Sequence, residues 1–333
     1  MSLMRSLFSK KQKITQLKQP FNVEVLFVLF DVFYVCFDEP NRKENWDQIK
    51  SIIPKAKKVE GVVGFDQALK ECAKQSSTDY FFLIDGDNQL MERRFRRSLS
   101  VENIQDDWVL SWASLNTVNG LTYGNGGLKL WPKDVALNIN SHENADSEDD
   151  QTDYCFIASY YLVDDYVSRT IINKTYKQAF RAGFREGVKM SLAYGKQVDF
   201  NQVDFETTLG RQNRLRLKIW CEVGADVLNG MWAILGARMG LYYNAVRMFD
   251  YKGINSYEWI ESLLQEDVFD SLDIRADEVD SGEFDVRRLA PVIEQFGEKI
   301  KEKLPMDLKL LTPIESLKFK EEFQNPSRSG LLN

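Results

Sequence analysis

The first ninety residues alternate between short apolar runs and amphipathic segments. Residues 21–37 are almost entirely apolar and predict two consecutive buried strands, the second being VFYVCF (32–37). ENWDQIKSII has a helical pattern that ends at Pro54, and FDQALKECAKQ predicts an amphipathic helix. YFFLI (80–84) predicts another buried strand. Apolar strands alternating with helices predict an α/β fold with a mostly parallel sheet flanked by helices.

The rest of the chain changes character twice. Residues 108–131 are rich in Trp, Asn and Gly and predict strands and turns. Residues 140–153 form a polar, acidic loop, and helical patterns dominate after about Lys174, where recurring glycines predict close helix packing. Residues 265–286 are acidic and predict an exposed connection. We therefore expect three parts, listed here by residue number: a basic N-terminal extension (1–20), a catalytic α/β domain (21–210) and a helical region packed on it (211–333).

Composition narrows the class of protein. With 43 basic and 50 acidic residues among 333, the formal charge of −7 argues against non-specific attraction to nucleic acid over the whole surface. The four cysteines lack any metal-ligand spacing, which favours buried thiols in a reducing compartment. No stretch reads as a signal peptide or a membrane span. We expect a cytoplasmic protein without a membrane partner; the sequence leaves its oligomeric state open.

Asp85 and Asp87 are the strongest candidates for chemistry. They follow a buried strand, and side chains two residues apart in an extended segment point the same way, so both carboxylates can hold one divalent cation, Mn²⁺ or Mg²⁺. Gly86 between them would let a diphosphate approach the backbone. Two alternatives are a simple turn, since Asp, Gly and Asn all favour turns, and a phosphatase of the haloacid dehalogenase type with a nucleophilic Asp.

Other polar segments supply candidate ligand contacts. YGNGGLKLW (123–131) offers exposed backbone N–H groups to a ligand; the alternative is a glycine-rich hairpin with core tryptophans. The candidate contacts to a sugar or an acceptor are Trp112, which precedes this segment, and five residues within it: Asn125, Gly126, Gly127, Lys129 and Trp131. Arg181 and Arg185 lie four residues apart, so they share a helix face and can clamp a diphosphate, with Glu186 beside them; a surface helix with outward-facing charges is the alternative.

The acidic loop and the basic clusters are less specific. His142 could be a third metal ligand, and Asp153, next to an apolar run, is the preferred catalytic base. A solvated acidic loop is the alternative. Arg93, Arg94, Arg96 and Arg97 follow the DGDN turn and are candidate contacts to a DNA backbone. A second basic cluster occupies 211–218, and solvated helix faces would explain both.

Five ordered segments resemble the TET/JBP-associated glycosyltransferases, a family with a GT-A-like, Rossmann-type fold found in tailed phages and kinetoplastids. They are FDEPNRKENW (37–46), KKVEGVVGFDQALKECA (57–73), FFLIDGDN (81–88), NTVNGLTYGNGGLKLWPK (116–133) and QAFRAGFREGVKMSL (178–192). The resemblance implies transfer of a sugar from a nucleotide sugar, a UDP-sugar above all, to the hydroxymethyl group of a modified pyrimidine in double-stranded DNA.

The resemblance also implies roles for individual residues. Asp85 and Asp87 would be the metal pair, and Asp38 and Glu39 would lie by the nucleoside. Glu186 would line the cleft and is a candidate catalytic residue. It does not identify the catalytic base. A protein, lipid or glycan acceptor is the nearest alternative, favoured by the acidic composition, and a non-catalytic nucleic-acid-binding protein is a more distant one.

Overall fold

The computed structural model describes residues 13–17, 20–97, 104–140 and 159–324, with the backbone alone at 123–126 and 164. The chain divides into two compact units, Met1–Thr117 with Leu121–Ile171, and Val118–Gly120 with Ile172–Asn333. The main boundary thus falls at 171/172, whereas the sequence pattern placed it at 210/211. The segment between these points begins with a helix that packs inside the second unit, as described below.

The first unit combines helices with all the described strands. Its helices are α1 (Val23–Leu29), α2 (Arg42–Ile52), α3 (Phe65–Gln75) and α4 (Lys133–Leu137). Its strands are β1 (Asp31–Cys36), β2 (Lys57–Glu60), β3 (Tyr80–Asp85), β4 (Asn88–Leu90), β5 (Val109–Asn116), β6 (Thr122–Pro132) and β7 (Tyr160–Thr170).

The strands form one sheet in the order β2-β1-β3-β6-β5-β7-β4. β1 is parallel to β2 and β3, β5 is parallel to β7, and the other three pairings are antiparallel. The predicted α/β class with a helix-flanked sheet is confirmed. Its parallel first part follows from the helices that separate β1, β2 and β3, because parallel neighbours need crossover connections.

Alternate side chains of the strands enter two cores on opposite faces of the sheet. Tyr34 and Phe82 pack with residues of α1 and α2, whereas Phe33 and Phe81 pack with residues of α3 and α4. Burial of a large apolar side chain stabilises the folded state by roughly 1.5–3 kcal/mol. The side chains on both faces of the sheet therefore serve the two cores. The ends of the strands are left for ligands.

The apolar segment 21–37 begins with a helix, so the prediction of two strands there is wrong in its first half. α1 starts where the Asn22 side chain accepts a hydrogen bond from the Val25 amide at 3.0 Å. Val23, Leu26 and Phe27 are its buried residues. A short apolar run does not by itself distinguish a buried helix from a buried strand, and here the cap favours the helix.

The second unit is helical, as expected. Its helices are α5 (Tyr176–Met190), α6 (Phe205–Thr208), α7 (Arg211–Glu222), α8 (Gly230–Ala245), α9 (Tyr257–Leu264), α10 (Asp270–Leu272), α11 (Ala276–Asp280), α12 (Ala290–Lys301) and α13 (Pro313–Phe323). The segment 265–286 is not simply an exposed connection, because it starts with a π-helical turn, Gln265–Phe269, in which Val268 and Phe269 are buried.

Glycines bring α5 and α8 into backbone contact, which confirms the close packing predicted around Gly236. A Cβ added at Gly183 would lie 2.0 Å from the Ala233 carbonyl oxygen, and one at Gly236 would lie 2.2 Å from that of Phe180. α5 is therefore an integral part of the second unit. Across the described ranges, no helix combines the length and apolar character needed to cross a membrane.

Candidate functional site

Two polar loops lie at the same edge of the sheet in the first unit. β1 and β3 are adjacent and parallel, with Val35 paired to Asp85. Residues 37–41 follow β1, and Gly86 and Asp87 form the turn after β3. The carboxyl ends of parallel strands are where α/β proteins bind ligands, so the predicted position of both loops is confirmed.

The turn at Gly86 is held by buried polar side chains. The Tyr34 hydroxyl donates to the Gly86 carbonyl at 2.7 Å, and Asn45 Nδ2 donates to the same oxygen at 2.9 Å. Glu39 lies against the turn, since a Cβ at Gly86 would be 2.6 Å from its Cδ, and its Oε2 accepts from the Phe37 amide at 2.8 Å. Gly86 thus makes room for the Glu39 carboxylate, and the approach of a diphosphate to this glycine stays a prediction.

Asp85, the last residue of β3, is paired with a lysine of the neighbouring strand. Lys129 Nζ lies 2.8 Å from Asp85 Oδ2. Lys129 is opposite Leu83 in the β3–β6 ladder, which places its side chain on the face shared by Leu83 and Asp85. The Lys129 side chain is 7% exposed and that of Asp85 39%. The ammonium is therefore buried, while the carboxylate faces the edge.

Asp87 contacts a neutral amide instead of a cation. Asn88 Nδ2 donates to Asp87 Oδ1 at 2.6 Å, and Ser114 Oγ donates to Asn88 Oδ1 at 2.8 Å. The Thr170 hydroxyl donates to Ser114 Oγ at 2.7 Å. Because Ser114 accepts from Thr170 and passes its own hydrogen to Asn88, the amide nitrogen of Asn88 is directed at Asp87.

Glu39, Asp85 and Asp87 perturb one another. Burial, together with the charges of Asp85 and Glu39, raises the pKa of Asp87 to about 7. Partial burial raises the pKa of Asp85 against the opposing effect of Lys129, and partial burial raises that of Glu39 against the Phe37 amide. With all groups ionised, these carboxylates and the Lys129 ammonium leave a formal charge of −2. Perturbed carboxyls gathered at a strand edge are typical of a functional site.

The cluster fits a divalent cation only in part. Within the described ranges, no group of three or more His, Cys, Asp and Glu side chains is placed to hold a metal ion unaided. Mg²⁺ beside nucleotides is commonly held by one or two carboxylates, with water and phosphate oxygens filling the other positions. Asp85 and Asp87 therefore suit a cation shared with a phosphate ligand, not a closed metal cage.

No family model and no curated protein matches this chain. Among solved structures, a glycosyltransferase involved in the glycosylation of the major capsid of PBCV-1 is similar to it. The match covers 44% of this chain and 98% of that one, at 12% identity and a TM-score of 0.30. A similarity of this extent carries no conclusion about activity, and the TET/JBP-associated family stays a prediction.

Trp112 and Trp131 are core residues, which corrects their prediction as contacts to a sugar. Each is 1% exposed. Trp112 packs near Phe82 in one core, and Trp131 packs near Phe65 in the other. Because the two indoles are covered and lie on opposite faces of the sheet, they cannot stack together on one ligand.

The glycine-rich part of β6 also has a structural explanation. A Cβ at Gly127 would lie 1.8 Å from Asn88 Cγ, so this glycine leaves space for the amide that contacts Asp87. Asn125 and Gly126 lie on β6, where only the backbone is described, and their predicted contacts stay predictions. Lys129 does reach the site, as the partner of Asp85.

Arg181 and Arg185 share a face of α5, as predicted, and contact α9. The Arg181 guanidinium lies 4.2 Å from the Tyr257 ring centre, and Arg185 Nη1 donates to the Tyr257 hydroxyl at 3.0 Å. Arg181 also lies 3.7 Å from the Glu261 carboxylate. Their role as a diphosphate clamp and the catalytic role of Glu186 stay predictions.

Three of the four arginines after the Gly86 turn form ion pairs. Arg94, 13% exposed, lies 2.7 Å from Asp165, and Arg97 shares that carboxylate at 3.1 Å. Arg96 pairs with a glutamate of α1 at 3.2 Å. Arg94 is therefore a structural residue, which corrects its prediction as a DNA contact. Arg93, Arg96 and Arg97 are exposed.

The remaining predicted residues divide into two groups. Asp38 is exposed beside Glu39, and its contact with a nucleoside stays a prediction. The predicted base Asp153 and the predicted metal ligand His142 lie outside the described residues.

Sequence reasoning missed the residues that support the turn. Tyr34, Asn45 and Asn88 are buried and polar. One usable signal was a polar residue at a core position, such as Asn45 in α2. Such positions are normally hydrogen-bonded, and their partners here are the backbone and side chains of the site.

Proposed function

We propose that this chain is a glycosyltransferase that uses a nucleotide sugar, a UDP-sugar, as donor. Asp85 and Asp87 would hold Mn²⁺ or Mg²⁺. The main support is the group of Glu39, Asp85 and Asp87, which carries unbalanced negative charge at the carboxyl ends of adjacent parallel strands. A bound cation would supply charge to neutralise the donor diphosphate and to stabilise the departing nucleoside diphosphate.

The surrounding residues would keep the two carboxylates in place. Tyr34 and Asn45 fix the Gly86 carbonyl between them, and the Asn88 amide holds one oxygen of Asp87. Buried hydrogen bonds of this kind reduce the rearrangement required when a ligand binds. In this proposal Glu39 adds negative charge beside the cation and is not required as a direct ligand.

We propose the hydroxymethyl group of a modified pyrimidine in double-stranded DNA as acceptor. Its support is the resemblance of the ordered segments and the exposed arginines Arg93, Arg96 and Arg97. A duplex acceptor would need its base flipped out of the stack. A protein, lipid or glycan acceptor is the second candidate, favoured by the charge of −7 and by the structural role of Arg94.

The test is incubation with a panel of nucleotide sugars and Mn²⁺ or Mg²⁺, using hydroxymethylated DNA as acceptor and mass analysis of the nucleosides. We expect one donor to add a glycosyl mass. Asp87→Asn should slow donor turnover about 100-fold or more, because several kcal/mol of charge stabilisation are lost. Asp47→Asn, on the exposed surface of α2, is the matched control.

The possible results test the acceptor, the metal site and the class of enzyme separately. Donor hydrolysis that depends on metal and Asp87, without modified nucleosides, would transfer the proposal to the second class of acceptor. Full turnover by Asp87→Asn would contradict the metal site. Release of phosphate from phosphomonoesters, with no nucleotide sugar consumed, would favour the phosphatase alternative.

A further inference from the structure

The two aspartates of the proposed metal pair are held in different ways. Asp85 has a buried cationic partner, because Lys129 Nζ lies 2.8 Å from its Oδ2. Asp87 has a neutral partner, the Asn88 amide at 2.6 Å, and among the described residues no cation lies within ion-pair distance of it. A cation that approaches the pair therefore meets one carboxylate that is already charge-balanced and one that is not.

Burial makes the Lys129–Asp85 pair consequential for binding. A lysine that is only 7% exposed needs a counter-charge, because an isolated buried ammonium is costly. A divalent cation on Asp85 would compete for that counter-charge and would also repel the ammonium at short range. A diphosphate has the opposite effect, since its negative charge attracts the ammonium close to Asp85.

We propose that Lys129 couples cation binding to nucleotide binding: as the internal counter-ion of Asp85 it opposes a cation alone, and it contributes its charge to the diphosphate once the donor arrives. This inference rests on the proposed function. It predicts that cation and nucleotide bind cooperatively, and that removal of the Lys129 charge affects the two ligands in opposite directions. A purely structural lysine would weaken both when replaced.

The test measures Mn²⁺ binding with and without UDP at pH 8, from the electron paramagnetic resonance signal of free Mn²⁺ and from calorimetry. Lys129→Met should bind Mn²⁺ alone about three- to tenfold more tightly, and UDP in saturating Mn²⁺ about three- to tenfold more weakly. Lys129→Arg keeps the charge and should keep the wild-type pattern. Lys57→Met is the control, because it removes a lysine that pairs with an aspartate of the same sheet away from the site: Lys57, 38% exposed, lies 3.3 Å from Asp31 at the start of β1.

Two of the possible outcomes would contradict the coupling role of Lys129, and a third would contradict the proposed function. Mn²⁺ affinity that is unchanged or lower in Lys129→Met, with thermal unfolding like that of the wild type, would overturn the coupling role and leave the metal site standing. If Lys129→Met is unfolded, the test uses Lys129→Arg and the wild type instead. Absence of cooperativity between Mn²⁺ and UDP in these two proteins would overturn the inference. Absence of Mn²⁺ binding by the wild type, even with UDP, would contradict the proposed function itself.

Discussion

Asp87 is the residue at which folding stability and the proposed function conflict. Its carboxyl lies near two others, and its hydrogen-bond partner, Asn88, is uncharged. Repulsion among these partly buried like charges lowers stability, while the same repulsion favours a cation. Lys129 relieves the repulsion at Asp85 only. The Asp87 side chain therefore offers the clearest test at the scale of a single residue.

In metal-free buffer, Asp87→Asn should stabilise the protein at pH 8 and have little effect near pH 4. The folded-state pKa of about 7 lies above the ordinary value of 3.8, so the folded protein holds the proton more tightly than the unfolded chain. Wild-type stability should therefore fall as the pH rises from about 4 to about 7. We expect a gain of roughly 1–2 kcal/mol for the variant, less than the full pKa difference implies, because water screens the sheet edge.

Urea denaturation at both pH values, with a chelator present, measures this difference. Asp47→Asn, which alters an exposed ion pair on α2, should show no comparable dependence on pH. A loss of stability at pH 8 in Asp87→Asn would mean that the hydrogen bond from Asn88 outweighs the repulsion.

The two aspartates themselves could be predicted from sequence, but their partners could not, because Lys129 and Ser114 are distant in the chain.

At the scale of elements, β6 requires a glycine at position 127 because a side chain of the edge strand β4 occupies the adjacent space. Asn88 on β4 places its side chain where a Cβ of Gly127 would stand, 1.8 Å from its Cγ, although β5 and β7 separate these strands in the sheet order. The same amide accepts from Ser114 on β5. Several strands thus converge on the residue that orients Asp87, a relation that no local pattern contains.

Gly127→Ala should displace the Asn88 amide, lower stability by about 1–3 kcal/mol and weaken Mn²⁺–UDP binding. The added methyl group has no room, and relief requires a movement of Asn88 away from Asp87. Thermal denaturation and calorimetry measure the two effects. Gly210→Ala is the control, since nothing lies within 4 Å of a Cβ built there. Wild-type binding in Gly127→Ala would show that Asn88 is dispensable for the site.

At the scale of the whole molecule, an overall charge of −7 makes any DNA contact depend on local positive charge. Arg94 is committed to Asp165, which leaves Arg93, Arg96 and Arg97 as accessible candidates after the Gly86 turn. The proposed DNA acceptor therefore depends on a small set of exposed side chains, and salt dependence is the appropriate measurement.

Replacing Arg93, Arg96 and Arg97 together with Gln should weaken DNA binding and flatten its dependence on salt. Each lost phosphate contact reduces the slope of log K against log salt by about 0.9. Fluorescence anisotropy over a salt series measures this slope. Arg275, Arg287 and Arg288 in the second unit, replaced likewise, provide a control with the same change in net charge. Equal slopes in the two triple variants would remove the arginines after the Gly86 turn from the DNA interface.

The sequence by itself determined the α/β class, the helical second half, the strand that carries Asp85 and the edge at which Asp87 lies. These follow from apolar periodicity and from the rule that parallel strands share an open carboxyl edge, both of which are local or topological. The tertiary structure decided which polar residues meet there. Contacts between distant segments give Lys129, Asn45 and Asn88 their roles. Packing between distant segments also buries Trp112 in a core.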